Sequence, residues 1–379
     1  MQCETSVLMW VFNGILTYTI LLPMIKVALF CPYPLGEAPS QRFRFEQYLP
    51  YLNEKGIEVK VYPFLNQKGW EIFYAHGKPL KKIVHLFLGC MKRTGHLLQI
   101  RKADVVFIHR EAAPLGPPVF EWLIAKVLRK RIVYDFDDAI WLPNFSPQHR
   151  KVHRLKSYWK VEHMIRWSYK VSVGNQFLAD FARRYNSNVV IVPTTIDPAL
   201  HRAEADKSSG GPWIIGWTGT HTTVHYLMPL VPVLEQLAQE IPFVFRVISN
   251  EPPAFDVPNL EFIPWKKTTE IDDLTKFSVG VMPLSEDDWT KGKCGFKALQ
   301  YMALGIPTIA SNIGVNPEII EHGVNGFLAD SPQEWLACLR QLYNESEGSR
   351  SIGQAAAETV HRRYSVTANR ALYLNLFER

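Results

Sequence analysis

Apolar positions along the chain fall into two alternating kinds of run. Short blocks bounded by turn residues, such as residues 26–30 ended by Cys-Pro-Tyr-Pro-Leu-Gly, predict buried strands. Stretches with apolar positions at i, i+3, i+4 and i+7 predict helices. Phe45, Tyr48, Leu49 and Leu52 follow a candidate N-cap at Ser40, and Lys55-Gly56 closes that segment before a strand at 57–62. The same order restarts at Trp213-Ile-Ile-Gly-Trp. There a strand leads into the polar turn Thr-Gly-Thr-His-Thr-Thr, a helix with Leu227, Leu230, Val231 and Leu234 on one face, and a strand at 243–248. Further strands are predicted at 105–109, 132–134, 171–173 and 189–192, then at 260–263, 279–282 and 307–311.

Strand–helix alternation that starts twice predicts an α/β chain of two doubly wound parallel-sheet domains. The polar stretch 203–212, ending Ser-Ser-Gly-Gly-Pro, has linker composition. The organisation expected is a hydrophobic extension at 1–23, a first domain at 24–205, a second at 212–360 and a last segment at 361–379. Ligands of such sheets sit beyond the carboxyl ends of the strands, so two facing domains form a cleft lined by loops that follow strands.

Composition agrees with this and narrows the partners. A chain of 379 residues exceeds what one core usually holds, and 47% hydrophobic with 21% charged residues describes an ordinary globular protein. The net charge of +6 is spread along the chain; it suits an anionic ligand or membrane surface and is too diffuse for nucleic-acid binding. Five scattered cysteines without a Cys-x-x-Cys pair imply a reduced, cytoplasmic setting and no zinc ribbon. Residues 5–25 carry no charge and are long enough to span a bilayer, but Asn13, Gly14, Thr17, Tyr18 and Thr19 dilute them and no basic cluster precedes them. Three readings stay open for residues 1–23: a dispensable extension, peripheral association with the inner face of the cytoplasmic membrane, or a structural role.

The strongest chemical signal is the stretch 291–311, a glycine-containing loop, a helix ended by Gly305 and a strand. Lys291, Lys293 and Lys297 crowd the start of that helix, where cations oppose its dipole; an anion held between lysines and free amides would remove the conflict. A solvated basic loop is the alternative.

This stretch, with Ile-Gly-Val-Asn-Pro-Glu-Ile-Ile-Glu-His-Gly-Val-Asn-Gly-Phe-Leu-Ala from Ile313, resembles the donor-binding half of GT-B glycosyltransferases, specifically the retaining family 4. The likeness runs from Lys26 to the C-terminus and is most specific over 279–329. It implies two Rossmann-like domains facing across a cleft, the second holding a nucleotide sugar, the first an acceptor, and a last helix crossing back to the first domain. In that family a Glu-x7-Glu pattern brackets the helix, one carboxylate on the sugar and one on the ribose; those positions are Gly292 and Gln300 here. The basic pair that usually holds the pyrophosphate after the first strand of the second domain is also absent. Lys293 and Lys297 are therefore expected to neutralise the pyrophosphate instead, with amides and hydroxyls around Gly219 and Thr220. It places the Gly295-Phe296 backbone on sugar hydroxyls, Gln300 on the ribose through its amide, and Trp265 either beside the nucleobase or in the core.

On the acceptor side the candidates are Arg42 and Arg44 near the helix start, and His109, Arg110 and Glu111 after a strand. Residues 134–141, Tyr-Asp-Phe-Asp-Asp-Ala-Ile-Trp, hold an Asp-x-Asp that would suit a metal in a nucleotide domain, but it ends a first-domain strand. Asp137 and Asp138 are accordingly expected to orient or activate an acceptor hydroxyl, with Lys297 as the third catalytic group. No metal and no cofactor are expected. The pairs His149/His153 and His221/His225 lack a third ligand, and Cys294 lacks a His partner and reads as packing. The reaction expected is retaining transfer of a sugar to a saccharide or lipid-linked acceptor in cell-envelope polysaccharide synthesis. A non-catalytic binder of sugar nucleotides or glycans and a nucleotide-sugar epimerase are the alternatives.

Overall fold

The computed structural model describes residues 6–12, 15–21, 24–75, 77–143, 156–201 and 211–378. Most of the linker stretch and the His149/His153 pair lie outside the described residues.

Two six-stranded parallel sheets carry the molecule. The first contains β3 (Ile25–Cys31), β4 (Ile57–Pro63), β5 (Val105–His109), β6 (Arg131–Phe136), β7 (Lys170–Val173) and β8 (Val189–Ile191), in the order β4-β3-β5-β6-β7-β8. The second contains β9 (Ile214–Thr218), β10 (Val244–Ser249), β11 (Leu260–Pro264), β12 (Val279–Met282), β13 (Thr308–Ala310) and β14 (Phe327–Leu328), in the order β11-β10-β9-β12-β13-β14. Strands such as β5 and β9 are buried at every position, because helices cover both faces of a parallel sheet. That double burial is why their sequences read as unbroken apolar runs. Strand order reverses between β3 and β5 and between β9 and β12, which opens a crevice beyond the carboxyl ends of each pair.

A separate antiparallel pair, β1 (Ser6–Phe12) and β2 (Ile15–Leu21), occupies the uncharged N-terminal stretch. Among the described residues no helix is long and apolar enough to cross a membrane.

The helix expected after Ser40 is broken. Ala38 is the N-cap of a four-residue turn, Pro39–Arg42, followed by a 3-10 turn at Glu46–Tyr48 and a helix at Leu49–Glu54. Pro50 has no amide hydrogen to give to the Glu46 carbonyl, so one continuous helix cannot form. Farther along, the helix Val366–Leu374 lies on the first domain. Tyr373, Leu376 and Phe377 join Val27, Leu29 and Phe107 in one core, and Tyr373 stacks on Tyr48 with ring centroids 4.1 Å apart.

Candidate functional site

The loop after β12 is built from its capping residues. Asp287 caps the short helix Asp288–Lys291 with a reciprocal Asp287–Thr290 box. Gly292 ends that turn, and Gly295, at φ 68°, starts the eight-residue helix Phe296–Ala303. A left-handed cap suits glycine, and a Cβ there would come within 2.3 Å of Ile319. Lys293 and Lys297 stand one turn apart at this helix start. Neither has a carboxylate partner among the described residues; Lys293 Nζ lies 5.7 Å from the Trp289 ring centroid and Lys297 Nζ 4.9 Å from that of Trp217. Burial and the charge of Lys293 lower the Lys297 pKa to about 7, with Asp138 opposing the shift.

The loop after β9 reaches the same place. The Trp217 indole fills the space beneath Gly219, where a Cβ would stand 2.2 Å from the ring, and it also carries Lys297 on its face. Thr220 is exposed, its hydroxyl 2.7 Å from that of Thr222. Trp265 is partly buried against Ile214, Ile248 and Leu274, so one edge belongs to the core and the rest meets solvent.

First-domain loops close on this loop directly. Asn175, the N-cap of helix Gln176–Arg183, donates its amide to the carbonyls of Lys291 at 3.1 Å and Lys293 at 2.9 Å. Cys294 Sγ donates to the Asp137 carbonyl at 3.1 Å and packs into the first-domain core, where burial pushes its thiol well above the ordinary range. It is a packing residue. Phe296 meets Phe43 with centroids 4.3 Å apart.

The acidic turn after β6 divides between two tasks. Asp135 points into the sheet end, where Arg44 donates to Oδ1 at 2.5 Å, Ser172 donates to the same oxygen at 2.7 Å, and His109 Nδ1 donates to Oδ2 at 2.8 Å. Strand register explains the meeting, since His109, Asp135 and Ser172 are lateral neighbours on β5, β6 and β7. Burial would raise the Asp135 carboxyl, but Arg44 and His109 outweigh it and hold it well below the ordinary carboxylate range. Arg44 is 1% exposed and His109 0%, and Arg44 also donates to the Val192 carbonyl. Neither faces the cleft, so the expectation that Arg44 and His109 contact an acceptor is corrected: both are buried partners of Asp135. Asp137 and Asp138 instead take Arg110, which donates through Nε to Asp137 at 2.8 Å and through Nη2 to Asp138 at 2.5 Å. Arg110 sits at φ 60°, a left-handed conformation held by these ion pairs and by Tyr134, whose hydroxyl donates to its carbonyl. Burial would lower the guanidinium, and the two carboxylates more than offset it, so its pKa is raised. The three aspartates do not converge, and among the described residues no group of three metal-ligating side chains occurs.

Glu111 turns away from Arg110 to Lys160, 2.7 Å distant, and both line a polar cavity with Tyr33, Arg110 and Lys156 on the first-domain side. Arg42 crosses between the domains and pairs with Glu270 at 2.6 Å. Glu270 in turn lies 3.4 Å from the Gln300 amide nitrogen, while Gln300 is 1% exposed and its Oε1 has no partner. The Gln300 amide is thus turned to Glu270 rather than to the open cleft, which corrects its expected place. His221 is exposed, bonded to Asn250, and builds no metal site with His225.

The lysine loop, the Gly219 loop and the Asp137–Asp138 turn therefore meet, and Arg44, His109 and Gln300 stand behind them. Asn175, Trp217 and Glu270 are site residues that sequence reasoning missed. Asn175 follows a strand and opens a helix, a position that could have marked it; nothing local distinguishes Trp217 or Glu270.

Residues 214–345 match the family described as glycosyl transferases group 1. D-inositol 3-phosphate glycosyltransferase of Thermobispora bispora is 30% identical over 152 residues, 39% of this chain and 32% of that protein. N-acetyl-alpha-D-glucosaminyl L-malate synthase of Bacillus anthracis is 30% identical over 100 residues, 26% of this chain and 25% of that protein. The chain thus matches a third or less of the length of these curated relatives. Among solved structures, sucrose-phosphate synthase from Thermosynechococcus elongatus superposes with a TM-score of 0.68 at 12% identity, covering 93% of this chain and 98% of that one. Anabaena Alr3699/HepE in complex with UDP and glucose gives 0.61 at 14% identity, covering 93% and 99%. Sheet order, interdomain cleft and these matches agree: the chain has the GT-B fold, and residues 214–345 of its second domain are similar to glycosyl transferases group 1.

Proposed function

We propose that the protein transfers a sugar, with retention of configuration, from a nucleotide-sugar donor to a saccharide or lipid-linked acceptor in cell-envelope polysaccharide synthesis. The observation that carries this reading is the pair Lys293 and Lys297 at a helix start in the interdomain cleft, without a carboxylate partner among the described residues and with Lys297 lowered to about pKa 7. A donor diphosphate supplies the missing negative charge. In the transfer an acceptor oxygen bonds to the anomeric carbon, the bond from that carbon to the diphosphate oxygen breaks, and the lysines with the helix amides stabilise the departing diphosphate. Asp138 or Asp137 is the candidate to take or orient the acceptor proton, because Arg110 holds only one oxygen of each. The cavity between Arg110, Lys156 and Lys160 would hold an anionic acceptor group. No metal or cofactor enters this scheme, and the donor is a substrate. Peripheral attachment to the inner face of the cytoplasmic membrane would suit a lipid-linked acceptor.

Calorimetry with nucleoside diphosphates, followed by turnover assays with labelled nucleotide sugars, tests the reading. Lys297→Ala should weaken diphosphate binding by about 1.5–3 kcal/mol; unchanged affinity sinks the assignment. Asp138→Asn should abolish transfer, and wild-type activity should survive a chelator. Gly292 and Gln300 standing where carboxylates are usual favour a second reading, a non-catalytic binder. Tight binding without turnover on any acceptor would select it.

A further inference from the structure

The helix Pro79–Gln99 has its apolar side outward. Gly89, Arg93 and His96 are its buried positions, and Arg93 donates to the carbonyls of Cys31, Tyr62 and Ala112 from beneath it. Its exposed apolar residues include Leu80, Ile83, Phe87, Leu88, Met91 and Leu98, between 52% and 77% exposed. Leu80, Ile83, Phe87, Met91 and Leu98, three, four and seven residues apart, make one stripe along the 21-residue helix, about 31 Å long. Trp122 is also exposed, on the neighbouring helix Val119–Trp122, whose Phe120 packs in the same small core as Leu86 and Cys90.

The charge beside the stripe has one sign. Residues 72–103 contain no Asp or Glu, and Lys78, Lys81, Lys82 and Lys92 are on or beside the helix. A second copy of this chain on the stripe would bring two lysine-bearing, carboxylate-free surfaces together. An anionic lipid surface would accept both the apolar ridge and the lysines, whose stems can lie along the apolar boundary with their ammonium groups in the headgroups.

We propose that the helix Pro79–Gln99, with Trp122 beside it, docks the first domain on an anionic membrane. This surface was not the part of the chain that suggested membrane contact in the sequence, and it stands independently of the donor-site reading. The test is co-sedimentation of the full chain with vesicles of phosphatidylcholine alone and of phosphatidylcholine with about 30% phosphatidylglycerol. Wild type should bind the anionic vesicles and lose binding as salt rises. Phe87→Glu with Met91→Glu should weaken binding by roughly tenfold or more, and Lys81→Gln with Lys92→Gln by roughly fivefold per lysine. Melting curves and nucleoside-diphosphate affinity, unchanged in these exposed variants, show that fold and donor site are intact. Wild type that ignores anionic vesicles, or a Phe87→Glu/Met91→Glu variant that binds them as well as wild type, overturns the proposal. A wild-type dimer in light scattering that this variant converts to monomer overturns it too, because the stripe then belongs to a second copy.

Discussion

Lys297 and Asp135 are both removed from bulk water, with opposite consequences. Lys297 has lost hydration and gained the like charge of Lys293, which Asp138 offsets only in part, so it releases its proton near pH 7, against 10.5 for an ordinary lysine. Between those values the unfolded chain binds more protons than the folded one. The unfavourable contribution of this group to stability is therefore full below about pH 7 and fades as pH rises towards 10.5. A bound diphosphate reverses the balance by favouring the ammonium. Binding at about pH 8.5 should take up close to one proton, read as a dependence of calorimetric heat on buffer ionisation enthalpy, and affinity should fall as pH rises above 7. Equal heats in buffers of different ionisation enthalpy would contradict the placement of Lys297 on the ligand. Asp135 has gained Arg44 and His109, and its depressed pKa contributes stability that is present above 3.8 and lost only as pH falls below it. Asp135→Asn would leave Arg44 buried without its counter-charge, and should cost about 3–5 kcal/mol in denaturant unfolding. A loss below 1 kcal/mol would mean the arginine finds water.

At the scale of elements, the lysine loop is positioned by the first domain as much as by its own helix. Two glycines set the approach. A Cβ on Gly174 would lie 2.1 Å from Cys294 Sγ, and one on Gly292 would lie 2.8 Å from Ala139 Cβ. Gly174→Ala should destabilise by about 1–3 kcal/mol through overpacking and loosen diphosphate binding. Adding Cys294→Ala should restore both, since the nearest remaining Cys294 atom is then Cβ at 3.4 Å. A double variant as impaired as the single one would place the strain elsewhere. This seam also shows where sequence reading stops. Strands such as Val105–His109 and Val279–Met282 were legible because double-sided burial writes itself as a local apolar run. The Arg44 ion pair was not, because its partner is 91 residues away and an arginine beside a helix start looks like a surface cation. Asn175 and Lys293 are 118 residues apart, and only the packed domains bring them together.

The whole molecule is tied across its cleft at several points, and the longest tie is the return of the chain end. Val366 donates to the Ile196 carbonyl and Ile196 to that of Tyr364, so the polypeptide leaves the second domain along the segment that left the first. Beyond that point Tyr373, Leu376 and Phe377 are each at most 1% exposed, against the first sheet and the helix Leu49–Glu54. A last helix crossing back to the first domain was expected from the family resemblance alone; the surface that it covers is composed of strands far earlier in the chain and could not be read locally. Burying three such side chains is worth roughly 5–9 kcal/mol as an upper figure, comparable with the net stability of a typical domain. A chain ended after Ser365 should therefore lose the cooperative unfolding of the first domain while the second domain, whose core of Ile215, Trp217, Leu234 and Leu339 contains none of these residues, keeps its own transition. Differential scanning calorimetry separates the cases: one surviving transition, with nucleoside-diphosphate affinity lowered because Asn175 no longer holds the lysine loop, is the outcome expected. An unchanged first transition would mean that the C-terminal helix only decorates the first domain.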